Sequence, residues 1–238
     1  MEVSVCVPVY RAHPAPNVAT LEAGLAGALG ERRGELVVAL NGIAATEAGV
    51  PSGVRSVALD ENRGVAPGWN AAARAAAGRI LVFANDDVTL GVRSIERLAR
   101  VLDEQSDAGV VGPIGARWNR RTWEHEAMVT AEDGIVACDA VSGFLFAARR
   151  ETWEGAGGFD ETYAPASWEE IDFNLAVQAM GLRSYAVSGV EAPHEWGISA
   201  RQKPWKTVRW NGRRELLWSI HRRNRRHFLS KWSSTAAP

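Results

Sequence analysis

Asn85, Asp86 and Asp87 follow directly on Ile80-Leu81-Val82-Phe83-Ala84, four apolar residues and an alanine that read as a buried strand. Adjacent carboxylates at a strand end repel each other unless a cation or hydrogen-bond donors sit between them. Hard oxygen donors of this kind suit Mg²⁺ or Mn²⁺ held jointly with a phosphate. Taken alone, the motif is explained equally well by a solvated turn or a cap on the next helix. His194 is a second candidate, since imidazole is a good Mn²⁺ ligand and Pro193-His194-Glu195-Trp196-Gly197 is not an apolar helix face. A lone histidine, however, is more often structural or simply exposed.

Trp168-Glu169-Glu170-Ile171-Asp172 sets three carboxylates within four residues at the start of a helix. Crowding raises the pKa of one of them toward neutrality, which is what a general base requires. Ser167-Trp168-Glu169-Glu170 also fits the S-x-x-E capping box, and acids favour a helix N-terminus in any case. On these residues alone, capping is the stronger reading. Glu61-Asn62-Arg63-Gly64, with Asn70 eight residues beyond Asn62, lies between a strand and a helix, where amides can hold a phosphate or ribose. A plain loop and N-cap account for it as well.

Such groups need a frame. Strands are expected at Val3–Val9, Glu35–Leu40, Val54–Leu59, Ile80–Ala84 and Gly109–Ile114, and helices at Val18–Leu29, Val65–Ala77 and Arg93–Leu102. The alternation implies an α/β fold with right-handed crossovers and a largely parallel sheet. Ligands of such sheets bind at the carboxyl ends of strands, here Pro8-Val9-Tyr10, Leu40-Asn41-Gly42 and Asn85-Asp86-Asp87. Further on, Ala140–Ala148 reads as one strand, Gly157-Gly158-Phe159 as a turn, Trp168–Met180 as a helix, Arg183–Val187 as a strand, and Lys206–Leu229 as a basic helix. No repeat or linker divides the chain, so one domain over residues 1–200 is expected, with a basic tail over 201–238 packed on it or continuing it.

Of 238 residues, 46% are hydrophobic and 23% charged, which excludes disorder, collagen-like repeats and coiled coil as the dominant state. Cys6 and Cys138 allow neither a disulfide framework nor a C-x-x-C zinc site, which fits a reducing cytoplasm. Met1–Tyr10 lacks a basic stretch followed by a long apolar one, so no signal peptide is expected, and Ala140–Ala148 is too short to cross a membrane as a helix. The net charge of −1 hides an asymmetry: from Arg201 onward there are eleven Lys/Arg and one acid, Glu215. That segment also carries Trp205, Trp210, Trp218, Phe228 and Trp232. Two readings are open: an interfacial helix that meets an anionic surface, or a solvated helix whose tryptophans pack on the body.

Together the motifs resemble family 2 glycosyltransferases with the GT-A fold. The resemblance runs through Val3–Tyr10, Asn62-Arg63-Gly64-Val65-Ala66-Pro67-Gly68-Trp69-Asn70, Gly78–Asp87, Ser142-Gly143-Phe144, Gly157-Gly158-Phe159-Asp160-Glu161, Glu169-Glu170-Ile171-Asp172-Phe173 and His194–Ser199. Their order is most similar to a bacterial branch of rhamnosyl- and galactofuranosyl-type transferases. The resemblance implies a Rossmann-like, mainly parallel sheet flanked by helices, with the basic helical segment following. It implies inverting transfer from a nucleotide-diphosphate sugar of UDP, dTDP or GDP type to a hydroxyl acceptor: a glycan, a lipid-linked intermediate or a small molecule.

In that scheme Asp87 and His194 hold Mn²⁺ or Mg²⁺, and Asp86 meets the ribose or diphosphate. Pro8, Val9, Tyr10, Asn41, Asn62 and Asn70 line the nucleotide site. Glu170 falls at the base position, and Trp168, Trp196 and Gly143 fall on the sugar and acceptor side. The chain departs from the pattern at Asn85, where the first Asp of D-x-D is usual, and at Leu40, where an acid often sits. At Glu170 an Asp is commoner, which keeps Glu169 and Asp172 open as the base. The implied location is cytoplasmic, peripheral at the inner membrane face through the tail; a homodimer is open and no specific nucleic-acid partner is expected. Two other functions are weighed: a sugar-phosphate nucleotidyltransferase, and a non-catalytic module that binds membranes or polyanions. The first usually opens on a Gly-rich phosphate loop, whereas Tyr10-Arg11-Ala12-His13-Pro14-Ala15-Pro16 has no glycine.

Overall fold

A computed structural model describes residues 1–10, 18–194 and 205–233; Trp196 lies outside them. In chain order the elements are β1 (Val3–Val9), α1 (Val18–Leu29), β2 (Gly34–Asn41), β3 (Arg55–Leu59), α2 (Val65–Ala75), β4 (Ile80–Ala84), α3 (Ser94–Glu104) and β5 (Ala108–Gly112). Then follow β6 (Gly115–Trp118), β7 (His125–Val129), β8 (Ile135–Cys138), β9 (Ala140–Val141), β10 (Leu145–Arg149), α4 (Arg150–Gly155), α5 (Glu169–Ala179) and β11 (Arg183–Val187). The last are β12 (Thr207–Trp210), β13 (Arg213–Leu216) and α6 (Leu217–Trp232).

The central sheet runs β3-β2-β1-β4-β10-β5-β11-β8. β1 pairs parallel with β2 and β4, β2 with β3, and β11 with β5. β10 is antiparallel to both its neighbours, and β8 to β11. The parallel strands are apolar at successive positions because both faces are covered. Side chains alternate between two layers: Val3, Val5, Val7, Leu36 and Val38 face α1 and α3, whose Leu21, Leu25, Ile95 and Leu98 join them. Cys6, Val37, Leu81 and Phe83 face the other way, toward Trp69, Phe146, Phe159 and Phe173. Trp69 sits 5.3 Å from Phe146 and 5.1 Å from Phe159, ring centre to ring centre. Ser4, fully buried within β1, satisfies its hydroxyl on Glu35 at 2.8 Å. Cys6 and Cys138 are both buried and free.

Two expected elements are corrected. Ala140–Ala148 is not one strand. β9 pairs with β6 in a small sheet, β10 enters the central sheet between β4 and β5, and Ser142-Gly143-Phe144 makes the crossing. The basic segment is not one helix from Lys206. It begins as the β12–β13 hairpin, and α6 starts only at Leu217. Asn211 and Gly212 adopt φ of 48° and 68°, the left-handed pair that a two-residue hairpin turn demands.

α6 packs against the loop ahead of α5. Asn224, buried, donates to the carbonyls of Tyr163, Ala166 and Ser167. Phe228 is fully buried against Trp123 and Trp168. The packing reading of the tail therefore holds for this face, while Trp205 and Trp218 stay exposed. No helix among the described residues is long and apolar enough to cross a membrane.

Candidate active site

The carboxyl edge of the sheet gathers the groups that carry chemistry. Asn85, at the end of β4, donates its N–H to the Phe144 carbonyl at 2.9 Å. Residues 191–194 lie antiparallel along 88–91: Gly91 donates to Glu191, Thr89 donates to Pro193, and Val88 bridges His194. This strip delivers His194 to Asp87, with Nε2 3.1 Å from Oδ1 and both side chains largely buried. The imidazole stacks on Phe144 at 4.9 Å and 19°. Asp86 and Asp87 are each 8% exposed. A carboxylate oxygen and an imidazole nitrogen converging at a strand terminus are a suitable donor pair for Mn²⁺ or Mg²⁺. No cluster of three such side chains occurs among the described residues, so the donor set fits an ion shared with a ligand's oxygens rather than a closed protein cage.

Beside this pair lies the start of α5. The capping box does not form: Trp168, the residue before the helix, has φ 78° and makes no side-chain cap. Ser167 has φ 86°, and its hydroxyl lies 3.4 Å from His221 instead. Two successive non-glycine residues in the left-handed region are costly and collect at functional sites. They aim Glu170 across Gly143: a Cβ on Gly143 would lie only 3.1 Å from Glu170 Cγ. Gly143 thus makes room for the Glu170 side chain one residue from Phe144.

The three carboxylates have separate environments. Glu169 is buried, and burial, reinforced by the charge of Glu170, holds its pKa well above the usual carboxylate range. Glu170 is half-buried and is raised by burial. Asp172 is 2% exposed and accepts from Tyr163 Oη at 3.0 Å and Trp232 Nε1 at 2.7 Å, and it pairs with Lys231 at 2.8 Å. Those donors give it a structural role in holding α6. Burial would lower the Lys231 pKa, but Asp172 outweighs it and leaves Lys231 raised.

Replacing Asp172 with alanine should therefore loosen α6. Breaking a buried pair costs about 3–5 kcal/mol; because Lys231 is 37% exposed, about 3 kcal/mol is expected. Denaturant melts should show that loss, and an unchanged midpoint would contradict the anchoring role.

The amides of the three asparagines brace loops. Asn41 donates to the Gly64 carbonyl at 2.8 Å and accepts from Arg63 N–H at 2.7 Å. Asn70 clamps the Phe159 backbone in both directions and also donates to Glu161. Asn62 accepts from Gly64 N–H and donates to the Arg209 carbonyl, tying the hairpin down. Pro8 and Val9 are buried in the sheet, and a Cβ on Gly68 would lie 2.6 Å from Pro8 Cβ. Tyr10 is 41% exposed. Trp168 is half-buried against Trp118 and Phe228, with ring centres 5.7 and 4.8 Å away. Leu40 is buried in the layer facing α1.

Sequence reasoning missed Phe144 as the platform for His194 and Lys231 as the partner of Asp172; neither has a local signal. A hollow of about 490 Å³ lined by Leu102, Asp103, Arg149, Thr152, Met180 and Leu182 sits at the opposite edge, where Arg149 pairs with the first residue of β4. It lies away from the strand ends where ligands of such sheets bind.

Residues 33–155 match the family description "Glycosyl transferase family 2". No curated protein matches the chain. Among solved structures it is similar to GalNAc-T7 with UDP, GalNAc and Mn²⁺, at 12% identity and a TM-score of 0.61, over 78% of this chain and 42% of that one. It is also similar to the mannosyltransferase PcManGT from Pyrobaculum calidifontis in complex with GDP-Man and Mn²⁺, at 21% identity and a TM-score of 0.54, over 82% and 58%. The chain thus spans about half the length of these proteins. At such identities the likeness is one of fold, and the fold is of the GT-A type.

Proposed function

Because the chain belongs to glycosyl transferase family 2, we propose that it moves a sugar from a nucleotide-diphosphate donor to an acceptor hydroxyl with inversion at the anomeric carbon. The observation that carries this reading is the 3.1 Å approach of His194 to Asp87 at the carboxyl edge, beside Glu170. The donor diphosphate lies against Asp86, Asp87 and His194, with Tyr10 at the nucleotide end. Asp87 and His194 would hold Mn²⁺ or Mg²⁺, which offsets charge on the leaving diphosphate. Both structural neighbours were solved with Mn²⁺, which supports the choice of ion.

Glu170 takes the acceptor hydroxyl's proton as that oxygen attacks the anomeric carbon. The new carbon–oxygen bond forms on the face opposite the breaking bond to phosphate, so one displacement inverts the centre and releases a nucleoside diphosphate. The proton ends on Glu170 Oε. Gly143 lets the Glu170 side chain pass close over the backbone toward the acceptor, and Trp168 offers that acceptor an aromatic edge.

The neighbours bind UDP and GDP-Man respectively, so they leave the base open for this chain. Rhamnosyl- and galactofuranosyl-type donors are the first to try, on the order of the motifs. The test is thermal stabilisation by UDP, dTDP, GDP and CDP, each with and without Mn²⁺. A ligand that binds only the native state raises its melting temperature. One nucleotide should stabilise strongly, and only with the metal; no shift with any of them would overturn the reading.

A further inference from the structure

The β12–β13 hairpin turns one face outward. Its register pairs Thr207 with Leu216 and Arg209 with Arg214, and all four residues are exposed. Like charges directly opposite each other destabilise a strand pair, so Arg209 and Arg214 are poorly matched to one another and well matched to an anion. The hairpin's acid, Glu215, points the other way and is held by Arg223 and Trp210. Among residues 205–233 it is the sole acid.

The apolar residues at the end of this face are exposed too. Leu217 donates to the Lys206 carbonyl at 2.9 Å, which ties the start of the hairpin to the start of α6. Trp205 is 69% exposed, Trp218 55% and Leu216 45%. Along α6, Trp218, Arg222 and Arg226 recur every four residues on one exposed stripe, with the Arg222 guanidinium 5.3 Å from the Trp218 ring. Large rings and a leucine set among cations, with the hairpin's own acid turned to the other face, are the makeup of a surface that sits at the headgroup level of a bilayer. Leu216 has no ring to stack on a base, which favours lipid over nucleic acid.

We propose that this face, the outer side of the hairpin with the adjoining stripe of α6, docks on an anionic phospholipid bilayer. The hairpin is tied to the loop after β3 through Asn62 and Asn211, so docking fixes the rim of the site relative to the membrane. Each basic residue at an anionic surface adds roughly fivefold to binding. Docking is read separately from sugar transfer, so either reading can fail without the other.

The experiment uses the full chain with sedimented vesicles of phosphatidylcholine alone or mixed with phosphatidylglycerol. Binding is expected only to the mixed vesicles and should weaken with added salt. Two variants test the face. Trp205→Ala with Trp218→Ala removes the apolar anchors. Arg214→Glu with Arg222→Glu reverses two charges and gives Arg209 an opposite partner, so the hairpin should stay folded. Each should lose binding at least tenfold while the melting temperature and donor hydrolysis stay at wild-type values. Absence of binding to mixed vesicles would overturn the proposal. So would variants that bind like wild type, or binding to single-stranded RNA that matches the vesicles and survives loss of the tryptophans.

Discussion

Glu170→Gln is expected to cut turnover by about a hundred- to ten-thousandfold while leaving donor binding intact, the loss associated with removing a general base. Glutamine keeps the side chain's shape over Gly143 and its half-buried contacts, so the fold has no reason to change. What disappears is an oxygen able to take the acceptor's proton. The pH profile supplies a second readout. A base works only when ionised, and burial raises the pKa of Glu170. The wild-type rate should therefore fall as pH drops through a value above the ordinary carboxylate range, with a one-proton slope. The variant should lose that limb together with the rate. Wild-type turnover in Glu170→Gln would remove the residue from the mechanism.

Asp87→Ala should abolish the metal-dependent part of donor binding. At ligand concentrations about a hundredfold above Kd, native-state binding adds about 2.7 kcal/mol, or roughly 5–10 °C for a chain of this size. The wild type should show that shift with nucleotide and Mn²⁺ together, and the variant almost none of it. The unliganded variant loses the pairing with His194, so its own melting temperature is the reference for the ligand shift. His194→Ala should show the same pattern more weakly, since a carboxylate is the harder donor. Normal Mn²⁺ affinity in Asp87→Ala would place the ion elsewhere.

Much of the frame is legible in the sequence, for a physical reason. Val3–Val9 and Ile80–Ala84 are found at the bounds expected, because strands covered on both faces write themselves as nearly continuous apolar runs. β7 and β9 are not legible. His125–Val129 is exposed at four of its five positions, and β9 has two residues, so neither carries a period. The Asn211-Gly212 turn is a local hairpin signal that the basic, aromatic composition around it obscures.

At the site, the motif order proposes Asp87 and His194 as one ligand pair, and they lie 3.1 Å apart; the closeness of Glu170 to Gly143 is seen only in the structure. The partners of the asparagines and of Asp172 are not legible, because residue type announces a polar group but not what it meets. Asn62 finds its acceptor 147 residues away, and Asp172 finds Lys231 59 residues away. Contacts at such separations are settled by packing, which no local pattern records.

The most direct test of sugar transfer at this edge is the phosphate product. The chain would be incubated with a panel of nucleotide sugars and Mn²⁺, with and without a chelator, and the released species identified. The expected product is a nucleoside diphosphate, formed from one donor class and lost on chelation. Release of pyrophosphate, or no product from any donor, would contradict the account.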